Sequence, residues 1–437
     1  MLPVISSEKL SVPSRERSLK NTAPMNALPG FRDFYPADCA RRDYILNTWA
    51  ATARRYGFVA YDGPVVESLE LYKKKSGGEL VGQLFLVSHT SDEGAAKGAL
   101  RPEMTPTLAR MVAARERDYR KPMKWFCAPS FFRHERQQRG RLREFYQLNC
   151  DILGDASTGA DAELVALAID MLRAFGFTSE DFVVRLSDRS AWAAFAAARG
   201  VGEDRLGDFL SVVDKLERMK DDESAAKLAE FGVALADVRA FIAQPGAEAA
   251  GLAALQADLT ARGLSDYVEI DLTIVRGLAY YTGIVFEIFD RAKKERALAG
   301  GGRYDQLLTL MSDGKVNLPA LGFGMGDVTL ANLIESSPRA TAQMNDALAS
   351  NTAAEIYVII ATETRRAEAL SVVQKLRDAG RRVDYALSPA KVGKQFQAAE
   401  QLGAATAIVV GEEWPHVKVK NLVTREEHLI PAESLPA

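Results

Sequence analysis

An arginine-rich segment carries the residue types in this chain that are best suited to chemistry. Five of the eleven residues from Arg133 to Arg143 are arginine, and a stretch that alternates like a β-strand follows. Arginine can fork onto phosphate oxygens, and an aromatic ring can stack on a base. The pattern favours a nucleoside triphosphate site beside a small polar ligand, and an edge hairpin with a solvated basic loop is the alternative. One predicted strand face carries a ring, amides and a carboxylate: Phe145, Gln147, Asn149 and Asp151.

Three other segments place charged and hydroxyl groups beside breaks in the predicted structure. Glu103 precedes a predicted helix, Arg276 precedes two tyrosines between two predicted strands, and Arg303 follows three glycines. Taken singly, each segment has a simpler interpretation. Glu103 would be a charge at a helix N-terminus, Arg276 a surface arginine beside packing aromatics, and the glycines before Arg303 a flexible turn. The chain has neither a P-loop sequence nor a Gly-x-Ser-x-Gly elbow. The expected chemistry is therefore the placing of cations and carboxylates around bound substrates.

Composition limits the class of protein. The hydrophobic content of 47% and charged content of 26% are typical of a soluble globular chain, and no apolar stretch is long enough to span a membrane. The net charge of −3 gives no overall basic field for nucleic acid, although local clusters remain possible sites. The three cysteines have no metal spacing and predict reduced thiols in the cytoplasm. The four histidines form no His-x-x-x-His pair, so we expect no resident metal.

Periodic patterns predict the elements that must position these residues. The segments 124–134 and 143–153 predict a hairpin, and Asp38 is a plausible N-cap for the first helix. Glycine-rich turns are expected at 300–305 and 322–327, and the alanine-rich segment at about 190–262 predicts a helical insertion. Alternating strands and helices after residue 354 predict a small α/β domain. Helices are predicted at 38–55, 105–115 and 161–175.

The motifs in combination resemble the class II histidyl-tRNA synthetases from Leu28 to about Leu429. Segment 28–36 is similar to the opening motif of the family, and Pro64 lies where the dimer-forming motif has its proline. Segment 132–147 resembles the second class II motif, 276–281 resembles the histidine-specific signature, and the Gly-Gly-Gly-Arg-Tyr-Asp run at 300–305 is also typical. The resemblance implies an α+β fold, with an antiparallel sheet flanked by helices, a helical insertion and a C-terminal α/β anticodon-binding domain.

Domain boundaries follow from the patterns and the resemblance together. We expect a disordered tail at 1–25, with a transit peptide as the alternative, and a catalytic domain at 26–340. A polar linker at 341–353 and an anticodon-binding domain at 354–437 would follow.

The resemblance also implies a role for each site residue. Arg133 and Arg276 would be catalytic, with Arg133 on the α-phosphate of ATP and Arg276 bridging that phosphate and the histidine carboxylate. Glu135, Arg141 and Phe145 would complete the ATP site at the adenine and the phosphates. The histidine-binding residues would be Glu103 and Thr105 at the α-ammonium group with Gln147 beside them, and Asp151, Tyr281 and Tyr304 around the imidazole.

The implied reaction is the ATP-dependent ligation of histidine to the 3′ end of histidine tRNA through a histidyl-adenylate. It implies ATP as substrate with Mg²⁺ on the pyrophosphate, a homodimer, and a cytoplasmic location away from membranes. Lysines 391, 394, 418 and 420 are candidate tRNA backbone contacts, although a solvated helix face is the simpler interpretation of any one of them.

Three positions depart from the family pattern. Thr329 occupies the place of the third motif's arginine, which binds the γ-phosphate, although a subgroup of the family has a similar variant. Ala279 replaces the usual aspartate of the histidine signature, and Asp151 stands where many members have glutamate. The alternatives are a histidine-sensing paralogue, such as the regulatory subunit of ATP phosphoribosyltransferase, and a synthetase-like protein that binds tRNA or a partner without chemistry.

Overall fold

The structure is a computed structural model. It describes residues 26–75, 81–88, 97–135, 140–244, 246, 249–275, 281–292, 294–349 and 352–435. The tail predicted at 1–25 and the segment 276–280, which contains Arg276, lie outside the described residues.

A nine-stranded sheet forms the centre of the described N-terminal part of the chain. Its strands follow the order β1-β5-β7-β12-β11-β10-β8-β9, with β6 paired to one end of β7. Pairing is antiparallel except at β1–β5 and β8–β9. A separate three-stranded sheet has the order β2-β4-β3. The strands are β1 Val59–Ala60, β2 Val66–Ser68, β3 Leu86–Val87, β4 Gly98–Leu100, β5 Met123–Cys127, β6 Ser130–Phe132, β7 Glu144–Leu153, β8 Phe182–Asp188, β9 Val268–Ile270, β10 Ile284–Asp290, β11 Ala299–Arg303 and β12 Ala320–Gly326.

Helices cover one face of the large sheet. Leu148, Cys150 and Ile152 of β7 point into the main apolar core on that face, as the period-two pattern predicts, and the longest helices pack there. The predicted antiparallel sheet flanked by helices is therefore confirmed. The helices of this part are α1 Pro36–Arg55, α2 Leu69–Lys75, α3 Thr105–Arg115, α4 Thr158–Arg173, α5 Arg189–Ala197, α6 Leu206–Val213, α7 Asp221–Ala229, α8 Leu235–Ala243, α9 Ala250–Ala261, α10 Leu307–Met311, α11 Asp327–Ser336 and α12 Pro338–Ala349.

The two glycine-rich segments are strands, so the prediction of turns at 300–305 and 322–327 is wrong. They form β11 and β12, which pair with each other at the centre of the sheet. A Cβ at Gly302 would lie 2.6 Å from the carbonyl oxygen of Ile284, and Cβ atoms at Gly322 and Gly324 would overlap the side chains of Asp151 and Gln147. Glycine is needed here for close approach of neighbouring atoms, not for the conformational freedom of a turn.

Two other local predictions also need correction. Helix α1 begins at Pro36 with Tyr35 as its N-cap, because proline suits the first turn, so Asp38 is a first-turn charge and not the cap. The linker predicted at 341–353 is largely helical, since α12 covers Pro338–Ala349 and buries Ala340 and Met344 against the main core. The segment predicted as a helical insertion does contain helices α5 to α9, whereas its status as a separate domain stays a prediction.

The C-terminal part has its own five-stranded sheet and two apolar clusters. Three strands are parallel and the last two are antiparallel, which confirms the predicted partly parallel α/β arrangement. Gly380 and Gly403 follow the helices with φ of 77° and 69°, as expected of glycines that end helices. The elements are β13 Ile356–Ile360, α13 Arg366–Asp378, β14 Val383–Tyr385, α14 Val392–Gln401, β15 Thr406–Val410, β16 His416–Asn421 and β17 Glu427–Pro431.

Candidate active site

A cavity of about 730 Å³ opens on the sheet face opposite the main core. Its floor is the glycine-rich centre of the sheet, where Gly300, Gly324 and Gly326 present no side chains. Strand β7 contributes Phe145 and Gln147 to one side, and strands β8 and β10 contribute polar groups to the other. Among the described residues, the charged side chains that line the cavity lie to either side of this floor, so the sheet can hold an extended ligand against its backbone.

Arg133 occupies the position between the cavity and the segment that precedes α3. Its Nε donates a hydrogen bond of 2.8 Å to the carbonyl oxygen of Pro102, and its guanidinium carbon lies 5.3 Å from the centroid of the Phe145 ring. The backbone N–H of Arg133 donates to the carbonyl of Arg143 across the hairpin. The guanidinium group is therefore oriented by two contacts and the backbone of the residue by a third, which suits a residue that must meet a phosphate in one geometry.

Glu135 and Arg141 form an ion pair across the arginine-rich loop. Arg141 Nη1 lies 2.6 Å from Glu135 Oε2, and Arg133 Nη1 lies 4.0 Å from Glu135 Oε1. Both arginines and Glu135 line the cavity together with Phe145. The structure thus brings together the four residues expected at ATP, with the carboxylate engaged by Arg141. The loop residues 136–139 between them lie outside the described part of the chain.

Asp151 and Tyr304 make a buried contact deeper on the same face of the sheet. The Tyr304 hydroxyl donates a hydrogen bond to Asp151 Oδ1, and the two residues are 2% and 5% exposed. The ring of Tyr281 lies 6.5 Å from that of Tyr304. The three residues expected around an imidazole therefore lie together, although they come from three different segments.

Tyr61 is a further hydroxyl group near Asp151 that the sequence did not single out. Burial raises the pKa of Tyr61 well above its ordinary value, and the neighbouring Cys127 thiol and Asp151 carboxylate raise it further. No motif or periodic pattern marks this tyrosine, because it lies in a short extended segment after β1. Its proximity to Asp151 depends on strand β5, which carries Cys127 between them.

Glu103 and Thr105 lie at the start of α3, beside Arg133. Glu103 is buried, and Thr105 is half-buried as the first residue of the helix. The hydrogen bond from Arg133 to Pro102, the residue before Glu103, joins this segment to the arginine-rich hairpin. The neighbouring Arg101 is structural, since its guanidinium donates to Asp62 Oδ1 and to the carbonyls of Gly63 and Ser130. Gln147, on β7, donates through Nε2 to Asn149 Oδ1 at 2.9 Å.

The arginine of the Gly-Gly-Gly-Arg-Tyr-Asp run is structural. Arg303 makes a two-pronged ion pair with Asp161, with Nη2 to Oδ2 at 2.8 Å and Nε to Oδ1 at 3.2 Å, and both side chains are buried. Burial raises the pKa of Asp161 in spite of the opposing effect of Arg303. Arg303 also donates to the carbonyls of Asp155 and Ser157, so it fixes the end of β11 to the beginning of α4.

The cavity contains charged residues that no motif indicated. Arg185 lies on β8, Arg218 on the helical insertion, and Arg296 on the connection between β10 and β11. Among carboxylates, Glu287 of β10 also lines the cavity. Within the described ranges, no cluster of three or more histidine, cysteine or acidic residues is arranged to hold a metal ion. Likewise, none of the described helices has the length and apolar character needed to cross a membrane.

Comparison with known proteins identifies the family. The family model described as "Histidyl-tRNA synthetase" matches residues 30–330, and the one described as "Anticodon binding domain" matches residues 355–437. A protein of Opitutus terrae named histidine–tRNA ligase is 42% identical over 441 residues, which cover 95% of this chain and 98% of the relative.

Two solved structures have the same fold. A histidyl-tRNA synthetase from Nostoc sp. PCC 7120 matches with a TM-score of 0.72 at 22% identity, covering 94% of this chain and 98% of the other. A protein from Bacillus halodurans, titled ATP phosphoribosyltransferase regulatory subunit/histidyl-tRNA synthetase, matches with a TM-score of 0.68 at 21% identity, covering 90% of this chain and all of the other. Both structures show the fold alone, whereas the family models and the Opitutus relative show that this chain belongs to the histidyl-tRNA synthetase family.

Proposed function

We propose that this chain ligates histidine to the 3′ end of histidine tRNA, using ATP to form a histidyl-adenylate. The observation that carries the proposal is the hydrogen bond from Arg133 to Pro102, because it places an arginine suited to phosphate beside Glu103, a carboxylate suited to an ammonium group. The buried pair of Asp151 and Tyr304 lies on the same sheet face and offers polar atoms to an imidazole. Membership of the family supports the same conclusion.

The first step joins two anions, so the site must reduce their repulsion. At 4 Å, two unit charges in a partly solvated site repel by about 4 kcal/mol. The histidine carboxylate attacks the α-phosphate of ATP, the bond to the pyrophosphate breaks, and pyrophosphate leaves. Arg133 neutralises charge on the α-phosphate from the side of α3. The resemblance assigns the opposite side to Arg276, whose position lies outside the described residues.

ATP lies along the glycine-rich floor with its adenine at Phe145. The ring of Phe145 offers a stacking face, and Glu135, held by Arg141 at 2.6 Å, borders the adenine side. Arg141 is drawn toward the phosphates when they enter, since phosphate and Glu135 are alternative partners for the same guanidinium. The absence of side chains at Gly300 and Gly326 leaves room for the nucleotide.

Histidine occupies the deeper end of the site. Glu103 and Thr105 receive its ammonium group, with Gln147 beside them, and Asp151, Tyr281 and Tyr304 surround the imidazole. A buried polar group left without a partner costs about 1–3 kcal/mol, so the wrong amino acid is penalised at each unmatched atom.

Mg²⁺ is expected to enter with the substrate. Magnesium in nucleotide sites binds substrate phosphates and one or two carboxylates, and the cavity offers Glu287 and Asp214 on the wall away from Phe145. When bound, the ion would neutralise charge on the departing pyrophosphate. The carboxylates present fit that mode better than a cage built wholly by the protein, since the described residues form no cluster for one.

The same proposal includes a homodimer in the cytoplasm. Three exposed valines flank Pro64, at Val59, Val65 and Val66, where a second copy of the chain would cover them. The three cysteines are free thiols, which suits a reducing compartment. Sedimentation should give about twice the chain mass of 47.7 kDa. Val59→Asp should give the monomer, whereas Val423→Asp, at an equally exposed valine of the C-terminal part, should not.

The function is tested by amino-acid-dependent exchange between ATP and pyrophosphate. Exchange with histidine alone among the amino acids is the expected result. Arg133→Ala should lower kcat by at least about 100-fold, since it removes charge stabilisation at the reacting phosphate, whereas Arg117→Ala, at a fully solvated surface arginine, should leave it unchanged. Histidine binding without any exchange would refute the ligase and favour a histidine-sensing paralogue.

A further inference from the structure

The first turn of α11 borders the cavity without a positive charge. Thr329 lines the cavity at this point, where the third motif of the family usually has an arginine. The outer phosphates of ATP bring about three negative charges to the site, and arginine is the side chain that pairs with phosphate in a fixed geometry. Arg32 comes from a different element but is already paired with Asp327 of this turn at 2.8 Å, so a site for ATP needs a further cation near the start of α11.

The connection between β10 and β11 is fixed against this same helix. Asp290 Oδ2 accepts hydrogen bonds of 2.9 Å from the backbone N–H groups of Lys294 and Glu295, which closes the connection into a defined turn. Asn332, one turn after Thr329 on α11, donates from Nδ2 to Glu295 Oε2 at 3.1 Å. The turn is thus attached both to the end of β10 and to the helix that carries Thr329.

Arg296 follows Glu295 in this turn and lines the cavity together with Thr329. In the ladder between β11 and β12, Ala299 lies opposite Met325, and Leu298 is still hydrogen-bonded to the sheet. Arg296 lies three residues before β11 and Thr329 three residues after β12, so both lie just beyond the same end of this antiparallel ladder. Sequence separation hides this proximity, because Arg296 belongs to no motif and lies far from Thr329 along the chain.

We propose that Arg296 provides the cationic contact to the outer phosphates of ATP that Thr329 cannot make. The inference rests on the proposed function, since it assigns ATP to this cavity. Of the four other arginines that line the cavity, Arg133 and Arg141 are already assigned to ATP, and the remaining two are less suitable. Arg185 is paired with Asp271 at 3.3 Å and lies over the Phe289 ring, and Arg218 is carried by the helical insertion and not by the sheet.

Nucleotide binding tests the proposal without relying on catalysis. Titration calorimetry would compare ATP with AMP, which lacks the two outer phosphates. Arg296→Ala should weaken ATP binding by about 10- to 100-fold, the range expected for a charged hydrogen bond, while AMP binding changes less than about twofold. Arg291→Ala is the matched control, because Arg291 lies in the same connection but contacts Ser179 and Glu269. Equal weakening of ATP and AMP, or no weakening of ATP, would overturn the proposal.

A second comparison asks whether the two positions serve the same phosphates. Thr329→Arg, added to Arg296→Ala, should restore at least about tenfold in ATP affinity. No recovery would overturn the claim of equivalence. In exchange assays, Arg296→Ala should raise the KM for ATP and leave the KM for histidine unchanged, and an equal rise in both would also count against it. If the wild-type chain binds ATP but exchanges no pyrophosphate, the proposed function fails, whereas the ATP-versus-AMP comparison still decides the role of Arg296.

Discussion

Tyr304→Phe removes one hydroxyl group from the contact between Tyr304 and Asp151. The hydroxyl donates to Asp151 Oδ1, and both residues are almost inaccessible to solvent. The Cβ of Tyr304 and the ring would remain in the apolar cluster with Leu307 and Leu308, so the substitution should keep the packing. The effect should therefore be confined to the polar group that Asp151 presents to the substrate.

The size of the effect follows from burial. A hydrogen bond to a charged group contributes about 1.5–3 kcal/mol when water cannot replace it. That range corresponds to about 10- to 150-fold in an equilibrium or rate ratio. If Asp151 binds the imidazole, the loss of this hydrogen bond alters the position of its carboxylate, and kcat/KM for histidine should fall by that factor. The KM for ATP should remain within about twofold, since Phe145 and Arg133 are unchanged.

Tyr56→Phe is the matched control for this measurement. The Tyr56 hydroxyl donates to Asp170 Oδ2 at 2.7 Å, also a tyrosine–aspartate contact, but it lies between α1 and α4 away from the cavity. Both variants would be measured for histidine-dependent pyrophosphate exchange and for thermal stability. A fall in kcat/KM for histidine that is equal in the two variants would refute the reasoning, as would an unchanged value for Tyr304→Phe.

Two further changes test the supports of the site. Arg303→Met should destabilise the catalytic part by about 3–5 kcal/mol, because it leaves Asp161 buried without its partner. Adding Asp161→Leu should recover most of the lost free energy of unfolding, measured by urea denaturation. No recovery would contradict the pairing of the two residues. Burial raises the pKa of Glu163, but hydrogen bonds from Lys124 and Arg262 outweigh burial and hold that pKa below its usual value. The ionised carboxylate therefore stabilises the fold at neutral pH. This stabilisation is lost as the pH falls through the lowered pKa. Glu163→Gln should thus lower the free energy of unfolding at pH 7 by about 1 kcal/mol or less, which would appear as a slightly lower Tm. The difference in Tm between the variant and the wild type should vanish in acid. A difference that persists in acid would contradict the lowered pKa of Glu163.

The sequence predicted elements well where periodicity dominates. Helix α3 has the predicted bounds, 105–115, and strands alternate with helices after residue 354 as predicted. It predicted poorly where tertiary contacts override local preference. Strands β11 and β12 were assigned as turns because glycine is rare in strands, yet the neighbouring side chains of Asp151 and Gln147 require glycine there. Helix α12 was assigned to a linker because it is polar overall, although Ala340 and Met344 give it a buried stripe.

The candidate site shows the same division. The period-two pattern places Phe145, Gln147 and Asp151 on one strand face, and the structure has all three on the glycine side of the sheet. The contact of Asp151 with Tyr304 joins residues 153 apart in the chain, and no local pattern could predict it. The roles of these residues in binding ATP and histidine rest on the resemblance, and they remain predictions.

The centre of the sheet explains how one face can accept both substrates. Strands β11 and β12 give the site its floor, and they carry glycine at the positions where side chains would point toward a ligand. Charged groups are consequently moved outward: Arg133 and Glu135 lie on the side of β7, and Arg185 and Glu287 lie on the side of β10. The remaining side of the floor is its open end, where the connection between β10 and β11 meets α11. A cation at that end would come from one of these two elements. Because Thr329 leaves α11 without that charge, the proposed role of Arg296 follows from the geometry of the floor as much as from the comparison of motifs.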